Sequence, residues 1–139
     1  MSRQNKLRIL LTAVTLLGLI GVSARLVWPR IEVWAASYHQ KKVTRALQTW
    51  ADAYSIDTNK ASAIEAAEMM AYIERFYVPG VGYRGTPESE SELAAQREAS
   101  IRGIAEALRS YTKLEHGTHV ELWHEWAHSE QGLTNGIPK

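Results

Sequence analysis

The 139-residue chain has no cysteine, four prolines and a single phenylalanine. Without cysteine there is no disulfide scaffold, thiolate zinc site, iron–sulfur cluster or thiol nucleophile. The length is too short for a large α/β barrel or most two-domain enzymes, since one domain takes ~100–200 residues. Acid is missing from one part of the chain altogether. Residues 1–30 carry Arg3, Lys6, Arg8, Arg25 and Arg30 and no Asp or Glu. The other 11 bases share residues 31–139 with all 15 acids, a net −4. The overall +1 therefore joins a basic leader to a mildly acidic body. An acidic body offers no electrostatic case for nucleic acid.

Ile9–Ala24 is a run of 16 uncharged, mostly apolar residues flanked by bases. As a signal peptide, Met1–Arg8 is the basic region, Ile9–Val22 the apolar core and Val22-Ser23-Ala24 a small-residue exit, with cleavage after Ala24. As a retained anchor, the run reaches ~20 residues once Leu7, Leu26, Val27 and Trp28 join it and Arg8 and Arg25 snorkel to the interfaces. Trp28 and Trp34 then stand where an aromatic belt would lie. More apolar residues follow Ala24 at once, so the anchor is the preferred reading. Residues 1–28 are assigned to a signal-anchor or transmembrane segment, 29–132 to a helical domain and 133–139 to a flexible tail. Pro29 either starts a new helix or kinks a continuous one. Three bases precede the segment and Arg25, Arg30, Lys41, Lys42 and Arg45 follow it, so the positive-inside rule does not support an inside N-terminus. The signal-like layout does, and an exported (periplasmic or extracellular) body is expected.

The body reads as all-α, about four antiparallel helices, because no segment sustains period-two alternation. The first spans roughly Ile31–Tyr54 with Ala36, His39, Val43, Leu47, Trp50 and Tyr54 in its stripe, and His39 is expected to be a hydrogen-bonded core residue. The second, Lys60–Tyr77, takes Asp57 or Thr58 as cap. Its broad face of Ala63, Ala66, Met69, Met70, Ile73 and Tyr77 suits a helix touching two neighbours, with Glu65 and Glu68 opposite. Thr86 caps the third, Pro87 opens it, and Leu93, Ile101, Ile104, Leu108 and Tyr111 form its stripe to about Thr112. Arg97 falls inside that stripe and is read as structural, pairing with the Val78–Gly85 loop or a second-helix glutamate. The fourth is short, about His119–Ser129, with Thr118 and Glu121 at capping-box spacing and Trp123 and Trp126 on its packing face.

Two motifs carry chemistry on paper. His124-Glu125-Trp126-Ala127-His128 is an HExxH. On a helix, two histidines four apart can hold one Zn²⁺ while Glu125 activates water. A third ligand would have to come from His116 or His119, and the extended motif with a third downstream histidine is absent. The preferred reading is a wet helix face, with no catalytic residue, metal or other cofactor. The alternative is a membrane-tethered zinc hydrolase. Gly80–Gly85 spells GxGxxG but lacks a preceding strand, so no nucleotide is expected. It reads as a Pro/Gly loop that Phe76, Tyr77 and Tyr83 pack down, with Tyr83 and Arg84 available for a partner contact.

Residues 97–126 resemble the closing helical unit of bacterial HEAT-repeat-type proteins. The likeness rests on Leu108, Thr112, Gly117, Thr118, Trp123 and Trp126. Lys113 stands where glycine follows the turn threonine, and His119 where aspartate follows the cap. The upstream helices show no period of ~40–47 residues. The resemblance implies a protein-binding helical scaffold in which the tryptophans pack and the histidines are exposed. The sequence thus points to a single-pass membrane protein acting through protein contacts, as an accessory subunit or adaptor beside the bilayer and other membrane or periplasmic proteins. A secreted helical domain, cleaved at Ala24, is the remaining alternative.

Overall fold

The computed structural model describes residues 3–56 and 59–131, all numbered as in the sequence. Among them the backbone forms four helices and no strand: α1 (Arg3–Ile56), α2 (Lys60–Phe76), α3 (Pro87–Thr112) and α4 (Val120–Glu130). The all-α expectation is met. The tail at 133–139 and the expected caps Asp57 and Thr58 lie outside the described residues.

α1 is a single 54-residue helix that continues through Pro29 without a break. Proline removes one ladder hydrogen bond, at a cost of ~3 kcal/mol in a helix interior. The flanking turns on both sides are long enough to carry the helix across it. At ~1.5 Å per residue α1 is about 80 Å long, far beyond the body it serves.

The body begins where α1 first meets α3. Ser37 accepts the Thr86 backbone N–H, Gln40 bonds Ser89 and Glu90, and Ser100 donates to the Leu47 carbonyl. Residue numbers rise together along both helices, so α1 and α3 run parallel. α2 returns between them in the chain and is antiparallel to α1, with Trp50 against Tyr77 and Tyr54 bonded to Glu65. α4 packs on α2, also antiparallel: Lys60 pairs with Glu130, and Glu68 faces His124 and His128.

One core joins all four helices. Leu47, Ala67, Met70, Ile73, Ile104, Trp123 and Ala127 are fully buried within it. Three alanines on α2 (Ala63, Ala66, Ala67) let neighbouring backbones approach closely on both flanks. Trp123 is the largest buried side chain, and its indole N–H donates to the Gly117 carbonyl at 2.8 Å. That bond removes the cost of burying a polar atom.

The local signals explain the helix ends. Asn59 and Ser62 form a reciprocal capping box at α2. Thr86 caps α3 through the Ser89 N–H, with Pro87 next, as expected. α3 ends on Lys113 at φ 64°, the left-handed conformation that usually belongs to glycine. Two expectations need correction. The capping box of Thr118 and Glu121 does not form. α4 starts one residue later, at Val120, and its N-cap His119 makes no side-chain cap bond. The turn closed by the His119 N–H on the His116 carbonyl, with Trp123 anchored on Gly117, fixes that register. His39 is exposed and not in the core. The buried face of α1 runs through Ala36, Ser37, Gln40, Val43 and Leu47, one position away from the expected stripe at this point.

Candidate functional site

Three features of the surface bear on function. The first is the upper part of α1. It is the one helix among the described residues long and apolar enough to cross a membrane, and none of its most apolar stretch is buried in the body. Leu7, Leu10, Leu17, Leu26 and Trp28 all point into open space. Arg8 and Arg25 sit near its ends, and the Trp28 indole N–H bonds Glu32 one turn on. Trp34 stacks on Tyr38, which receives the Lys42 ammonium over its ring at 4.7 Å. These three residues make a ladder of amphipathic side chains along one exposed edge.

The second is the loop between α2 and α3. Gly80 and Gly82 take positive φ and form the turn, with the Val81 N–H bonding the Val78 carbonyl. The GxGxxG spacing thus serves a helix-to-helix connection. The loop is not packed down by Phe76 or Tyr83, which are exposed; only Tyr77 of the expected three turns inward, beside Trp50. It is held at its far end instead. The Glu90 carboxylate accepts from the Gly85 N–H at 2.8 Å and the Gln40 amide at 2.7 Å. Gln40 in turn accepts from the buried Ser89 hydroxyl at 2.7 Å. The Gln40 amide, with help from Gly85, holds the Glu90 carboxyl below the usual carboxylate range, against the opposing effect of burial. Its second oxygen is buried beside the Gly80 backbone and in the field of Arg84, without a well-formed hydrogen bond. Gly85 has no room for a side chain, because a Cβ there would run into Gln40 and Ser89.

This clamp leaves Val81 and Tyr83 72% and 79% exposed. It also lays Tyr83 and Arg84 against the start of the body. Pro29, Val33, Ala36, His39, Tyr83 and Arg84 line an open groove of about 670 Å³ there. Tyr72 and Phe76, in ring contact and both exposed, extend the aromatic surface on α2 near the same loop.

The third feature is the HExxH. His124 and His128 lie on one face of α4 with ring centroids 4.2 Å apart. Both aim Nε2 at Glu68 of α2, His128 at 3.2 Å from one oxygen and His124 at 3.5 Å from the other. Neither candidate third ligand from the sequence joins them. His116 packs edge-on against Trp123, and His119 is the exposed N-cap of α4. Glu125 is exposed, Trp123 is buried and Trp126 half-buried. The helical wheel puts Glu68 on the polar side of α2, yet it stands at the edge where α4 docks. The signal for it was the breadth of the apolar face of α2, which required a second neighbour along that edge.

Arg97 holds α2 by its backbone. Its guanidinium donates to the Glu74 carbonyl at 2.9 Å and, more weakly, to Ile73 at 3.4 Å. These are carbonyls of the last helical turn, where a cation also suits the helix dipole. It thus holds a second-helix glutamate, as expected, but through the Glu74 main chain and not its carboxylate.

No family model matches this chain, and no curated protein or solved structure matches it.

Proposed function

We propose that this is a single-pass membrane-anchored helical protein whose body works through protein contacts at the membrane surface, as an accessory subunit or adaptor. The observation that carries the reading is the continuity of α1. One uninterrupted helix supplies both the wholly exposed apolar segment and the core positions Val43 and Leu47. Burying an exposed surface of that size in protein would need another domain; a bilayer buries it without one.

A helix crosses a ~30 Å hydrocarbon core in about 20 residues, the length of Leu7–Leu26, so Pro29 and Val33 stand within about 10 Å of its edge. The groove formed with Tyr83 and Arg84 is then at headgroup depth. Val81 and Tyr83 face the bilayer region or a partner that spans it, and Arg84 suits lipid phosphate or an acidic partner side chain. The signal-like leader supports a body on the exported side. The resemblance of residues 97–126 to a HEAT-type closing unit supports a scaffold role, and the observed burial of Trp123 agrees with it.

The test is co-purification in mild detergent with a photo-crosslinking residue at position 83, beside a control at Arg102 on the exposed face of α3. A defined adduct at 83, absent at 102 and lost in Arg84→Ala, is expected. A monodisperse monomer with no adduct at either position refutes the contact reading.

A further inference from the structure

We infer that Glu68, His124 and His128 form a zinc site that fastens α4 to α2. The three groups offer one carboxylate and two imidazole nitrogens, and their ligand atoms all lie within 4.8 Å of one another. This goes beyond the anchored-scaffold reading and does not depend on it.

Distances make the first argument. Zn–N bonds of ~2.0–2.1 Å and Zn–O bonds of ~2.0–2.2 Å set neighbouring ligand atoms roughly 3.3–3.5 Å apart along a tetrahedral edge. His128 Nε2 stands 3.2 Å from one Glu68 oxygen and His124 Nε2 3.5 Å from the other, and one ligand atom from each of the three groups lies within 4.8 Å of the rest. A direct hydrogen bond would be tighter, ~2.7–3.2 Å for N–H···O, and His124 stands beyond that range. His128 lies at the long limit of that range, and the spacing of all three groups is within reach of an ion set between them.

Orientation makes the second. Two imidazoles one helical turn apart, 4.2 Å between centroids, turn the same nitrogen to one carboxylate. Each side chain keeps about 40% of its surface exposed, so water was open to both rings. Two imidazole nitrogens gathered on one carboxylate, each facing a different oxygen of it, make a donor set that a single ion can share.

The scaffold makes the third. Glu68 sits on a helix whose adjacent Ala67 is fully buried, and Ala127, beside His128, is fully buried too. Lys60 and Glu130 pair at 2.7 Å further along the same seam. The ligands therefore project from two packed helices, which fixes their separation. α4 is only 11 residues long and docks mainly on α2, so an ion across that seam adds directly to the stability of its docking. The partial exposure leaves a fourth position for water. Two imidazoles and a carboxylate suit a divalent transition metal, and zinc takes this same ligand set with water in the fourth position.

The full chain, purified in detergent without a histidine tag, is titrated with Zn²⁺ against a chromophoric chelator. One equivalent is expected to bind. His124→Ala, His128→Ala and Glu68→Gln should each weaken binding by more than about tenfold, since even outer-shell changes cost 10–100-fold. His116→Ala, His119→Ala and Glu125→Gln should leave it unchanged. Zinc should also raise the melting temperature of the wild type and not that of Glu68→Gln. Glu68→Asp withdraws the carboxylate by one methylene and gives the same comparison with the charge kept. The inference is overturned if the wild type shows no saturable zinc binding, or if both Glu68 variants bind zinc as tightly as the wild type. Either result leaves the membrane reading untouched, because the protein is in detergent throughout.

Discussion

Replacing Gly85 with alanine tests the clamp that holds the α2–α3 loop against α1. A Cβ at this position would overlap the Gln40 amide oxygen and the Ser89 hydroxyl, two atoms that are buried and bonded to each other. Relief requires Gln40 to move, and Gln40 also bonds Glu90. Overpacking costs ~1–3 kcal/mol, and a buried polar group left without its partner costs ~1–3 kcal/mol more. Part of the second cost is recovered if water enters at Gly85, which is only half-buried. The net loss expected is about 2–4 kcal/mol. At ~4 °C or more per kcal/mol for a body of this size, the melting temperature falls by roughly 8–16 °C. Circular dichroism at 222 nm in detergent reads the melt of the helices. Limited proteolysis reads the loop, and cleavage between Val78 and Arg84 should accelerate before the helices melt. Gln40→Ala with Gly85→Ala serves as the cycle, because removing Gln40 opens the space the new methyl needs. The double variant should lose less than the sum of the singles. A melting temperature within about 2 °C of wild type for Gly85→Ala would refute the clamp.

Glu90 gives the clamp a pH dependence. Its carboxyl is held below the usual range by the Gln40 amide and the Gly85 N–H, so its contribution is present above the unfolded pKa of about 4.3 and is lost as pH falls through the folded value. Melts across the acid range should show wild type and Glu90→Gln converging as pH drops, with the wild type ahead at neutral pH; parallel curves would contradict it. Lys113→Gly should raise stability by about 1 kcal/mol, because the residue is left-handed at φ 64°. Urea denaturation checks the sign. Arg97→Ala should cost about 1–2 kcal/mol and expose the end of α2, seen as faster amide exchange at Ile73–Tyr77, with Arg97→Lys intermediate.

Much of this architecture is written in helical periodicity and end signals. Thr86 and Pro87 mark the start of α3 because capping chemistry is local, and the burial of Trp123 follows from its place on an amphipathic wheel. What the wheel misplaced were polar residues in close helix contacts. His39 and Gln40 are neighbours, and only the partner helix decides which faces inward; Ser89 and Glu90 select Gln40 because they bond it. Ser89 and Ser100 are buried for the same reason, their hydroxyls bonded to Gln40 and to the Leu47 carbonyl. Glu68 belongs to this group. Nothing near it in the chain signals histidines 56 and 60 residues later, and the antiparallel docking of α4 alone brings them together. The register of α4 itself was off by one because a turn at His116 and Gly117 outweighed the Thr118 capping pattern.

In the proposed function α1 remains whole, with its exposed apolar half in the bilayer. Cells expressing the untagged chain are fractionated, the membranes are washed in alkaline carbonate, and the intact mass of the protein is measured in pellet and supernatant. A washed-membrane protein that retains the residues before Ala24 is expected. A chain that begins at Arg25 and is recovered in the soluble fraction would contradict it.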